Sequence, residues 1–84
     1  MKTETALSLI LAELARAEKL HPVWPHDLIH AAANCAEETG ELVRAVNDHA
    51  ERKGSVSHIV TEAVHTAATA LRFLKNIERA ENNE

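Results

Sequence analysis

The sequence predicts an all-α fold, an antiparallel helical bundle of three main helices completed by oligomerisation. Three observations lead there. Apolar residues recur at intervals of three and four in three separate stretches, and no segment alternates apolar with polar residues as a half-buried strand does. Ala supplies 15 of the apolar positions in 84 residues, while Phe and Trp occur once each and Tyr is absent. Alanine lets helices approach closely but removes little apolar area from water, and a chain of this length buries only about 60% of its unfolded surface. A second copy is therefore expected to complete the core.

Leu7, Ile10, Leu11 and Leu14, with Glu and Arg opposite, predict a first helix over 5–20. The segment 21–26 holds both prolines and the tryptophan, which makes it a rigid loop, and Asp27 is suited to cap the helix that follows. From Asp27 to Lys53 the stripe Leu28, Ala31, Ala32, Cys35, Thr39, Leu42, Val43 and Val46 keeps helical period, and Lys53-Gly54 offers a basic last turn and a Gly stop. Ser55 or Ser57 can cap a third helix with the stripe Ile59, Ala63, Val64, Ala67, Ala70, Leu71, Leu74 and Ile77. Residues 81–84 form a polar tail expected to fray. The whole chain, 1–84, reads as one domain.

The formal charge is −4, and Lys and Arg are scattered instead of gathered on one face. Neither a basic surface nor aromatic stacking platforms are present to hold a nucleic-acid polymer. One cysteine makes no internal disulfide, and Cys35 lies on an apolar stripe, so a packed thiol in a reducing, cytoplasmic setting is expected. The apolar stretch 6–12 is interrupted by Glu13 and Arg16 where a signal peptide would be cleaved, and no run approaches the roughly 20 apolar residues that span a bilayer.

The chemistry concentrates on the second helix. At about 100° per residue, Glu38 and Glu41 lie on one flank of the apolar stripe beside Asn34, with Glu37 further round. Glu37 and Glu41 are four apart and Glu38 and Glu41 three apart, so like charges repel, and only Arg44 is placed to relieve them. On the third helix Glu62, His65, Thr69 and Arg72 project from one flank. If the two flanks meet, Glu38, Glu41, Glu62 and His65 converge, a set that repels itself without a cation. Carboxylates favour Mg²⁺ or Mn²⁺, and an imidazole tilts the choice toward Mn²⁺ or a later metal. Glu-x-x-Glu is also a common pattern on solvated helix faces. Gly40, costly inside a helix, sits within the cluster; close helix packing would explain it equally well.

Ala36-Glu37-Glu38-Thr39-Gly40-Glu41-Leu42 resembles the Glu-Glu-x-x-Glu motif of the MazG-like all-α nucleoside triphosphate pyrophosphohydrolases, and Glu62-Ala63-Val64-His65 stands where that family has Glu-x-x-Asp. The resemblance runs from about Trp24 to Leu74. It implies a dimeric or tetrameric bundle that hydrolyses an NTP or dNTP to the monophosphate and pyrophosphate. It further implies that Glu38, Glu41 and Glu62 hold Mg²⁺, that Glu37 supports them or orients water, and that His65 replaces the family's fourth ligand, an Asp. Arg72, Lys75 or Arg44 would then steady pyrophosphate, unless they are ordinary solvated cations. Trp24 would stack on a base or close the bundle end, and Asn34 or Asn76 would hydrogen-bond the base edge. Two alternatives stand beside this. One is a catalytically idle MazG-like helical oligomer that binds a nucleotide or a protein partner. The other is a di-iron bundle, because Glu-x-x-His is the spacing such bundles use.

Overall fold

Three helices and two short connections make up most of the described residues. The computed structural model describes residues 1–78, so the tail 81–84 lies outside the described residues. α1 spans Thr3–Leu20, α2 Leu28–Ala50 and α3 Val56–Lys75, with no strand among the described residues. Among them no helix is long and apolar enough to cross a membrane.

Local chemistry explains most of the boundaries. The Asp27 carboxylate accepts the Ile29 N–H at 3.0 Å and Ser55 Oγ accepts the His58 N–H at 3.1 Å, each satisfying a donor that a helix start leaves unpaired. The end of α2 differs from expectation, because it stops at Ala50, before Lys53-Gly54. Arg52 takes the left-handed conformation, φ 63°, with its N–H on the His49 carbonyl and the Lys53 N–H on the Asp48 carbonyl. That pair of bonds is the Schellman closure, made here by an arginine in the place glycine prefers. Gly54 serves a different need, since a Cβ there would lie 3.2 Å from Asp48 Cβ.

α3 is the central element, packed against both α1 and α2, whereas α1 and α2 barely touch. α2 and α3 are antiparallel, as the bond from Cys35 Sγ to the Thr69 carbonyl and that from Thr66 Oγ1 to the Glu38 carbonyl show. α1 runs the same way as α3, with Glu13 beside His65 and Glu18 beside Lys75. The buried apolar residues are Leu14, Trp24, Ala31, Ala45 and Ala68, a small core for three helices. Leu7 and Leu11 of the predicted α1 stripe, and Val43 and Val46 of the α2 stripe, remain exposed, because each outer helix meets only α3. The radius of gyration, 14.1 Å, exceeds the roughly 12 Å expected of a spherical chain this long.

Candidate metal centre

Two threonine bonds fix the register at which α2 and α3 meet. Thr66 Oγ1 lies 2.8 Å from the Glu62 carbonyl and 3.1 Å from the Glu38 carbonyl, so one hydroxyl ties both backbones together at the acidic flank. Glu38, Glu62 and His65 are thereby brought together, each offering a ligand atom within 4.8 Å of the others. A common ion about 2.1 Å from each atom requires about 0.7 Å of side-chain adjustment at most.

The environment of these groups would suit a cation. Glu62 is 9% exposed, and its Oε2, like Glu38 Oε2, is buried with no hydrogen-bond partner. Burial first, then the neighbouring charge of Glu41, with Glu62 and Glu13 adding to it, pushes the Glu38 carboxyl above its ordinary range, partly offset by His65. Buried acceptors of this kind are costly unless something donates to them or ligates them. His58 Nε2 comes no closer to Glu62 Oε1 than 3.9 Å. The donor set therefore fits a hard or borderline divalent ion, with the imidazole favouring Mn²⁺ or a later metal over Mg²⁺.

Not every expected residue joins. Glu41 is exposed and outside the converging group, because three residues make only about 300° of turn and leave it about 60° off the direction of Glu38. Close helix packing within the chain does not explain Gly40, as a Cβ there would meet nothing within 4 Å. Arg44 is exposed.

A cleft of about 370 Å³ opens beside the carboxylates, lined by Glu37, Glu38, His65 and Asn34 and, further along, by Trp24 and Arg72. Arg72 is not a solvated cation, being 7% exposed. It donates to the His21 carbonyl and lies 5.0 Å from the Trp24 ring centroid, yet its Nε has no partner. Trp24 is itself 7% exposed, with Arg72 against its ring, and is part of the cleft wall. Lys75 and Asn76 lie away from the cleft. Lys75 Nζ pairs with Glu18 at 2.9 Å, and Asn76 Nδ2 donates to the Arg72 carbonyl at 2.8 Å.

Glu13 of α1 is the residue that sequence reasoning missed. Its Oε2 lies 3.5 Å from His65 Nε2, and both its oxygens accept from Arg16, at 2.7 and 2.6 Å. The Arg16 hydrogen bond, with help from His65, holds the Glu13 carboxyl below its ordinary range against the opposing effect of burial. A signal existed: Glu13 falls three residues after Ile10 and four before Ala17, on the inward edge of the α1 stripe.

No family model matches the chain, and comparison with curated proteins and with solved structures yields no significant match.

Proposed function

We propose that the chain is a cytoplasmic, metal-dependent nucleotide pyrophosphohydrolase, converting an NTP or dNTP to the monophosphate and pyrophosphate, and that it works as a homo-oligomer. The observation that supports this most is the pair of buried, partnerless carboxylate oxygens of Glu38 and Glu62, with Glu38 on the wall of a cleft that Arg72 also lines. The resemblance of the segment 36–42 to the MazG-like motif points the same way. A divalent ion there would neutralise the carboxylates, bridge phosphate oxygens and acidify a bound water. Glu38, Glu62 and His65 would hold it. Glu37 lines the same cleft and would orient the attacking water, and Asn34 and Arg72, also on its wall, are the candidates for a base edge and for phosphate. Lys75 and Asn76 have no such part, for the placements given above, whereas Trp24, on the cleft wall, would pack against a base at its edge.

An outward stripe on α2 supports the homo-oligomer. Ile29, Ala33, Ala36, Gly40 and Val43 are spaced four, three, four and three, and all are exposed. That is the pattern of a close helix–helix seam, and the open space above Gly40 suits another helix lying against it. Dimer and tetramer are both compatible with one such seam.

A second assignment, a catalytically idle oligomer that binds a nucleotide or a protein partner, is favoured by the position of Glu41 outside the group and by His65 in place of the family's Asp. Incubation with a panel of nucleotides in Mg²⁺ or Mn²⁺ separates the two. Monophosphate and pyrophosphate in equal amounts support the pyrophosphohydrolase. Orthophosphate, or tight nucleotide binding without turnover, counts against it.

A further inference from the structure

The geometry points to Glu13 of α1 as a fourth ligand for the cation held by Glu38, Glu62 and His65, with Arg16 keeping that carboxylate in place until the ion arrives. The inference rests on the cation site proposed above and adds a ligand to it from a helix outside the Glu-Glu-x-x-Glu and Glu-x-x-His segments.

Three observations carry it. First, Glu62 Oε2, on a side chain nine-tenths buried, and Glu38 Oε2 both lack a partner, so the junction of α2 and α3 is short of a positive group. Second, Glu13 is the one carboxylate that α1 brings to this junction. Its side chain is 14% exposed, and Oε2 already sits 3.5 Å from the ring nitrogen of His65, a member of the converging group. Third, the partner Glu13 has now does not have to leave. Arg16 is 53% exposed and holds Glu13 through two bonds, of which one can be exchanged while the other stays.

The two Arg16 bonds also divide the work. Nε holds Glu13 Oε1 at 2.7 Å and a terminal nitrogen holds Oε2 at 2.6 Å. Oε2, the oxygen next to His65, can turn to the ion while Oε1 keeps its bond to Arg16 Nε, so that the guanidinium changes from a full partner into the group that orients a ligand. Because α1 and α2 barely touch, an ion bound by Glu13, Glu38, Glu62 and His65 would also join all three helices.

The test is a Mn²⁺ titration of the full chain, free Mn²⁺ being read by electron paramagnetic resonance, on wild type, Glu13→Gln and Arg16→Gln. Both variants break the same ion pair, but only the first removes a ligand, so Arg16→Gln controls for any loss of folding. The expected result is affinity at least about tenfold weaker in Glu13→Gln and a clearly smaller loss in Arg16→Gln, which keeps the ligand and removes only the group that orients it. Equal affinity in wild type and Glu13→Gln overturns the inference. So does a loss in Arg16→Gln as large as that in Glu13→Gln, which would make the pair merely structural, and so does absence of Mn²⁺ binding to the wild type. Mn²⁺ binding that needs Glu13 but brings no nucleotide hydrolysis leaves this inference standing and sinks the pyrophosphohydrolase alone.

Discussion

The inner side of α3 and the outer side of α2 invert the usual distribution of polarity. α3 buries Glu62 and Arg72, while α2 leaves Ile29 and Val43 in water, with Ala33, Ala36 and Gly40 on the same face. The first arrangement gives up apolar burial at the centre of the fold, and the second gives it up at the rim. They are unsatisfied for opposite reasons, since a buried carboxylate oxygen lacks a donor or ligand and an exposed apolar stripe lacks an apolar neighbour. The proposed cation would answer the first and the proposed second copy the second.

The sharpest way to break the comparison is to remove a charge from the inner side. Glu38→Gln is expected to lower pyrophosphate release by about 10³-fold, because loss of a metal ligand forfeits several kcal/mol of charge stabilisation in the transition state. Initial rates with saturating Mn²⁺ would check this, and a variant retaining more than a tenth of the wild-type rate would remove Glu38 from the site. On the outer side, Gly40→Lys places a charge where the protomer has free space, so a folded protomer is expected with self-association weakened at least about tenfold. Sedimentation of both proteins over a concentration series decides it, and an unchanged dimer would move the seam elsewhere.

Two smaller effects sharpen the contrast. Arg52→Gly relieves the left-handed arginine that closes α2 and is expected to add about 1 kcal/mol, raising the melting temperature by roughly 4–8 °C. No rise would mean that Arg52 gains elsewhere what its backbone loses. The smallest effect is one of pH. The Glu38 carboxyl is raised, so the folded state holds its proton more tightly than the unfolded state, and ionising it destabilises the metal-free fold as pH rises through the carboxylate range. Metal-free Glu38→Gln should therefore melt above wild type at neutral pH, with the gap closing as pH falls through the raised Glu38 value. Glu13 has the opposite sign. Its lowered carboxyl stabilises above the unfolded value, and that contribution is lost as pH falls through the folded one. A gap between Glu38→Gln and wild type that widens on acidification would contradict the raised Glu38 carboxyl.

Much of this contrast was legible in the residues. The three stripes mark the helices, Asp27 and Ser55 mark their starts, and the flanks with Glu38, Glu62 and His65 follow from helical period once α2 and α3 are antiparallel. What was not legible depends on how neighbouring helices are registered. Nothing local says that Glu13 reaches His65, or that Lys75 is taken by Glu18, because both contacts cross between α1 and α3. Arg72 looks like a solvated cation until the loop carrying Trp24 folds over it. Gly54 misleads about the end of α2, since its lack of a side chain answers to the close approach of Asp48, while Arg52 makes the left-handed turn.

The most direct measurement compares thermal melts of wild type and Glu62→Gln, each with and without Mn²⁺. If Glu62 is a buried carboxylate waiting for a cation, the metal-free variant melts above wild type, and the rise that Mn²⁺ gives the wild type is lost in the variant. A metal-free variant that melts lower, or one that Mn²⁺ stabilises as much as wild type, would show that Glu62 has its partner within the chain and that no cation belongs between α2 and α3.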